Sequence, residues 1–100
     1  MLDPGTLTLA TFAERIGAGF RIRASDELMV EVTLAEAVAL GEAGAGGAKE
    51  PFSIVFRGPA EQILPQGIYR VEHEAIGASE IFLVPLTPDG DGARYEAVFT

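Results

Sequence analysis

Apolar side chains return at every second position along much of this chain. Phe20 and Ile22 alternate with Arg21 and Arg23 over 20–24, a pattern that predicts a half-buried strand. Ser25-Asp26-Glu27 then reads as a turn. From 28 to 40, Leu28, Val30, Val32, Leu34, Val38 and Leu40 keep the same period, interrupted at Glu36. Residues 34–40 also carry high helix propensity, and Thr33 with Glu36 imitates a capping box. Alternation is the stronger local cue, so a long strand with one face inward is favoured, with Glu36 at a bulge or sheet margin. Phe52, Ile54 and Phe56 share one face of the next strand, with Ser53, Val55 and Arg57 opposite, and Gly58-Pro59 ends it.

The final third, LPQGIYRVEHEAIGASEIFLVPLTPDGDGARYEAVFT, predicts an antiparallel meander, with runs of aromatic and β-branched residues between Gly-bearing turns. Tyr69, Val71 and His73 share a face over 68–74, and Ala75-Ile76-Gly77-Ala78 turns the chain back. Residues 80–86 are apolar on both faces, through Ile81 and Leu83 and then Phe82 and Val84, which predicts a strand that is central or covered on both sides. Pro85 predicts its end, because proline has no N–H for the ladder. Asp89-Gly90-Asp91-Gly92 reads as a hairpin turn, and Tyr95, Ala97 and Phe99 form the last strand. Before the meander, 60–66 crosses over, with Ile63 and Leu64 as plugs.

A helix is expected only near the N-terminus. Thr11 and Glu14 have capping-box spacing and Gly17 is a suitable stop, so a turn or two over 11–16 inserts Phe12 and Ile16 into the core. Residues 1–6 read as a loose arm and 41–50 as a flexible Gly/Ala loop, the four glycines there being costly to order. The sum is a mainly β chain with a minor α contribution. It has six mostly antiparallel strands and one short N-terminal helix, arranged as a small barrel or a two-layer sandwich, the barrel being favoured. One hundred residues fit one domain over 1–100.

Charge narrows the partners. Fifteen acidic and seven basic residues give a net charge of −8, the wrong sign for displacing counterions from nucleic acid or for anionic membranes. With no cysteine there are no disulfides and no thiolate metal sites. No basic segment leads into a long apolar run at the N-terminus, and no apolar stretch approaches the roughly 20 residues that span a bilayer. The expectation is a cytoplasmic protein.

His73, flanked by Glu72 and Glu74, is the only histidine. Strand neighbours point to opposite faces, so those carboxylates look away from it. A metal at His73 would need further ligands, all of them carboxylates. His73 therefore reads as a strand-end histidine hydrogen-bonded near the turn. Residues 89–92 lack the later ligands of a calcium loop. Gly41, Gly44, Gly46 and Gly47 lack the Lys-Ser/Thr of a phosphate cradle. Ser25, Ser53 and Ser79 lie in no nucleophile elbow. No catalytic, cofactor or metal residue is assigned. Arg57 and Arg70 pair with acids across strands, or line a rim that takes a partner's carboxylates. Arg57, Tyr69, Arg70, His73 and Tyr95 are the candidate interaction or pocket residues.

Pro51-Phe52-Ser53-Ile54-Val55-Phe56-Arg57-Gly58-Pro59, then Leu64-Pro65-Gln66-Gly67-Ile68-Tyr69-Arg70-Val71-Glu72-His73, then Ile81-Phe82-Leu83-Val84-Pro85 resemble an uncharacterised family of small bacterial proteins. Residues 7–12 and 94–99 fit the same pattern. The resemblance implies a stand-alone domain and supplies no activity. Some similar sequences accompany phage-tail-like proteins, which implies assembly. These readings lead to a non-enzymatic protein-interaction or assembly module, binding itself or another protein, with a strand edge near 52–57 or 95–99 adding to a partner's sheet. The alternative is a small-ligand-binding β-barrel with a pocket lined by Tyr69, Val71, His73, Phe82 and Tyr95. A third expectation is an enzyme pairing His73 with Glu31, Glu80 or Glu96.

Overall fold

The computed structural model describes residues 8–40, 51–90 and 92–99. The arm expected at 1–6 and the loop expected at 41–50 lie outside these described residues. Helix α1 (Leu9–Ala13) is followed by β1 (Gly19–Arg23), β2 (Met29–Ala39), β3 (Phe52–Gly58), β4 (Gly67–His73), β5 (Gly77–Asp89) and β6 (Gly92–Phe99). The strands close into a barrel in the order β1-β2-β3-β6-β5-β4, and every neighbouring pair is antiparallel. The barrel, not the sandwich, is the form adopted.

Alternation explains the closure. Phe20 and Ile22, Val30, Val32 and Leu34, Ile54 and Phe56, and Ile81 and Leu83 are all buried and belong to one core. On β6, the small Ala93 and Ala97 stand either side of the fully buried Tyr95. Tyr95 faces Phe56 across the ladder and Ala97 faces Ile54, so small residues on one strand make room for bulky ones on the other. Closure also removes the free edges expected at 52–57 and 95–99. Strand β3 lies between β2 and β6, and β6 between β3 and β5, so neither can add to another sheet.

A bulge divides β2. The register slips between Leu34 and Glu36, at the place where the alternation breaks. One extra residue turns every later side chain to the other face. Ala37 now packs toward the core, while Val38 is turned out and 47% exposed. The inward face read from 28 to 40 therefore ends at Leu34.

Helix α1 begins earlier than expected. Thr8, not Thr11, is the N-cap, and the Thr8 and Thr11 side chains each receive the other's backbone N–H. Arg15 N–H bonds to the Phe12 carbonyl at 2.8 Å, ending the helix before Ile16, which is half exposed instead of inserted. Phe12 alone plugs the barrel mouth. Its ring centroid lies 6.3, 5.9 and 5.7 Å from those of Phe20, Phe52 and Phe99. A helix this short has no stability of its own; docking Phe12, worth about 1.5–3 kcal/mol, holds it.

Three further expectations are corrected. Strand β5 does not stop at Pro85 but runs to Asp89. Its pairing with β4 ends at Gly67–Leu83, while Pro85 pairs only with Tyr95 of β6, and a half-paired stretch tolerates proline. Strand β5 is central, between β6 and β4, but not covered on both faces, since Phe82 points outward and is 51% exposed. In the 60–66 crossover Leu64 is buried and Ile63 is exposed, so one plug is present, not two.

Candidate functional site

The five residues expected to line one pocket inside the barrel do not all face it. Tyr69, Val71 and His73 share the inward face of β4, but Phe82 is on the outside, and Tyr95 fills the interior. The Tyr95 hydroxyl accepts the Leu64 N–H at 2.9 Å and donates to the Gln62 carbonyl at 3.2 Å, tying the crossover over that end of the barrel. The Tyr69 hydroxyl donates to the Pro65 carbonyl. Desolvation, and then the neighbouring Tyr95, push the Tyr69 hydroxyl above its ordinary pKa, so it stays a proton donor.

The His73 ring lies 4.5 Å from Phe20, and Nδ1 accepts the Ala75 N–H at 3.0 Å. That bond leaves the ring proton of the neutral form on Nε2. Glu31, Glu80 and Glu96 stand on the outward face of their strands, on the other side of the sheet from His73, so none of them forms the expected pair with it. Among the described residues no three His, Asp or Glu side chains gather as a metal site. An open depression of about 430 Å³ lies over β1 and β2, lined by Gly19, Phe20, Arg21, Glu31, Val32 and Thr33. It is on the outer surface and does not reach the pocket residues expected from β4.

Outside the barrel, the arginines are engaged within the chain. Glu72 meets Arg70 Nε at 2.9 Å, Arg23 Nε at 3.5 Å and Arg21 Nε at 3.8 Å. Strand register creates this cluster, setting Arg21 opposite Glu72 and Arg23 opposite Arg70. Desolvation works against the Glu72 charge. The Arg70 hydrogen bond, the Arg23 and Arg70 charges and an Arg23 hydrogen bond outweigh it and hold the carboxyl below its ordinary range. Arg94 donates twice to the Thr87 carbonyl, at 2.7 and 3.2 Å. Arg15 donates to the Thr11 carbonyl at 2.7 Å, and Arg57 too is engaged.

The same outward face carries an apolar row. Val38 on β2 stands opposite Ser53 on β3, and Ser53 opposite Val98 on β6. Ile68 on β4 stands opposite Phe82 on β5. Val84 and Glu96 are the last pair of the β5–β6 register, and Phe82 and Val98 stand two residues further along their strands on the same outward face. The row crosses five strands, roughly 20 Å along the curved surface at ~4.8 Å per strand. Val38, Phe82, Val98 and Ile68 are 47, 51, 54 and 68% exposed. Single exposed apolar residues are ordinary on a protein surface; here four of them, on β2, β6, β5 and β4, lie in one band that is interrupted at β3 by Ser53, 7% exposed.

The model of one protein family matches residues 7–99, nearly the whole chain. The chain belongs to the DUF6916 family, described as a domain of unknown function. Neither the curated proteins nor the solved structures include a significant match to it. Membership of DUF6916 thus agrees with the resemblance to an uncharacterised family and adds no chemistry. No helix among the described residues is long and apolar enough to cross a membrane. Sequence reasoning placed Tyr69 and His73 on one face of β4. It missed the outer row, whose one local trace was the apolar content of both faces of β5.

Proposed function

We propose that this barrel is a non-enzymatic protein-interaction module that binds through the outer face of its sheet and not through a strand edge. The observation that carries this reading is the exposed row formed by Val38, Val98, Phe82 and Ile68 on strands β2, β6, β5 and β4. A closed barrel has no edge to offer at β3 or β6, so recognition falls to side chains. The row is apolar, whereas around Glu72 three arginines, Arg21, Arg23 and Arg70, already share one carboxylate within the chain. The ligand-binding alternative draws no comparable support, since Tyr95, Phe56 and Leu83 fill the interior with 0% exposure.

The test is site-specific photo-cross-linking in the native cell. A photoreactive residue at position 82 gives a discrete protein adduct, one at position 21 gives none, and Ile68→Glu abolishes the adduct at 82. Equal labelling from both positions, or none from either, overturns the proposal.

A further inference from the structure

The charges around the row define what it takes, given the interaction reading above. One step along the outward face from Val38 and Val98 lie Glu36 and Glu96, which flank Val55 in register. On the other side lies Glu80, two residues from Phe82 on the same face of β5. Two residues of strand amount to about 7 Å, inside the screening length of ~8 Å at physiological ionic strength. Among the described residues no cation pairs with Glu36, Glu80 or Glu96. Arg70, opposite Glu80 in the ladder, is turned to Glu72 at 2.9 Å. The row is therefore an exposed apolar strip between carboxylates that no described cation pairs with, on a chain of net charge −8.

We infer that this row takes a protein segment whose apolar side chains are flanked by lysines or arginines. A second copy of the chain fits less well, because it would bring the same unmatched carboxylates against these across a strip about one side chain wide. Nucleic acid and anionic lipid are repelled by the same charges.

Two synthetic amphipathic helical peptides sharing one leucine face, one flanked by lysines and the other by glutamates, test this by fluorescence anisotropy on the full chain. The lysine peptide binds, more weakly as salt rises, and the glutamate peptide does not. Phe82→Ser and Ile68→Ser, both at exposed positions, each weaken binding by more than about tenfold. Glu36→Gln with Glu96→Gln weakens it on the order of fivefold, while the same charge change at Asp26→Asn with Glu27→Gln does not. Equal binding of the two peptides, or binding that ignores Phe82→Ser, overturns the assigned partner chemistry. So does light scattering that shows self-association abolished by Phe82→Ser, although the interaction reading then stands. A strict monomer that binds neither peptide overturns both.

Discussion

A Cβ on Gly92 would stand 2.3 Å from the carbonyl oxygen of Gly58. Gly92 opens β6 with φ +129° and sits against the end of β3, where Gly58 in turn passes close to Val32. Only glycine satisfies both the backbone angle and the approach. Gly92→Ala therefore costs about 3 kcal/mol or more, from strain and overpacking together. Gly90, in the same turn, has nothing within 4 Å of an added Cβ, and Gly90→Ala changes stability by less than about 0.5 kcal/mol. Urea midpoints measure both. Similar losses at the two positions would refute the close approach.

Tyr95→Phe tests the latch between β6 and the crossover. The hydroxyl accepts the Leu64 N–H and donates to the Gln62 carbonyl. Its removal leaves a buried donor at Leu64 unpartnered, which costs about 1–3 kcal/mol. Hydrogen exchange separates this from a general loosening: the Leu64 amide exchanges faster than global destabilisation alone requires. Protection at Leu64 that falls only in step with the strand amides would show that Tyr95 acts by packing alone.

Strand positions were legible because period two is local; facing was legible where the alternation ran unbroken, and not past the bulge at Val38 or at Phe82. The break at Glu36 announced a bulge, yet its consequence, that Val38 turns outward, follows only once the extra residue is counted into the ladder. Phe82 and Ile81 are equally apolar; barrel closure decides which one meets water, and closure depends on long-range pairing. Pro85 looked like a strand end because the sequence does not say that β4 has already stopped pairing there. The inward set Tyr69, Val71 and His73 lies on one strand and could be read directly. The outer row needs the registers of β2 with β3, β3 with β6, β6 with β5 and β4 with β5, and two of those pairings, β2 with β3 and β3 with β6, are not tight hairpins.

Ser79 gives a stabilising substitution. Its side chain is 2% exposed, lies on the inward side of β5 with Ile81 and Leu83, and its hydroxyl has no hydrogen-bond partner among the described residues. Burying an unpaired hydroxyl carries a penalty that alanine removes. Ser79→Ala raises stability by up to about 1 kcal/mol, read as a higher thermal midpoint at unchanged far-UV dichroism. A fall of that size would mean that Ser79 has a partner in solution.

Glu72 contributes to the acid limb of the stability curve. In the fold its carboxyl titrates below the ordinary value of 4.5, because Arg70 and Arg23 overcome the desolvation that opposes its charge. The unfolded chain lacks those neighbours, so there the carboxyl titrates near its ordinary value. Between the two values the unfolded state binds more protons, and stability rises with pH. The contribution is fully present above the unfolded value and is lost as pH falls through the folded one. Glu72→Gln removes this linkage and leaves Arg21, Arg23 and Arg70 facing one another. The variant is less stable at neutral pH, and the gap to wild type narrows as pH falls below about 4.5. Salt shrinks the gap too, because the three arginine side chains are 39–48% exposed and open to screening. Urea midpoints across a pH series, at low and high salt, decide it; two curves that stay parallel through the acid range would show that the arginines do not hold Glu72 in its charged form.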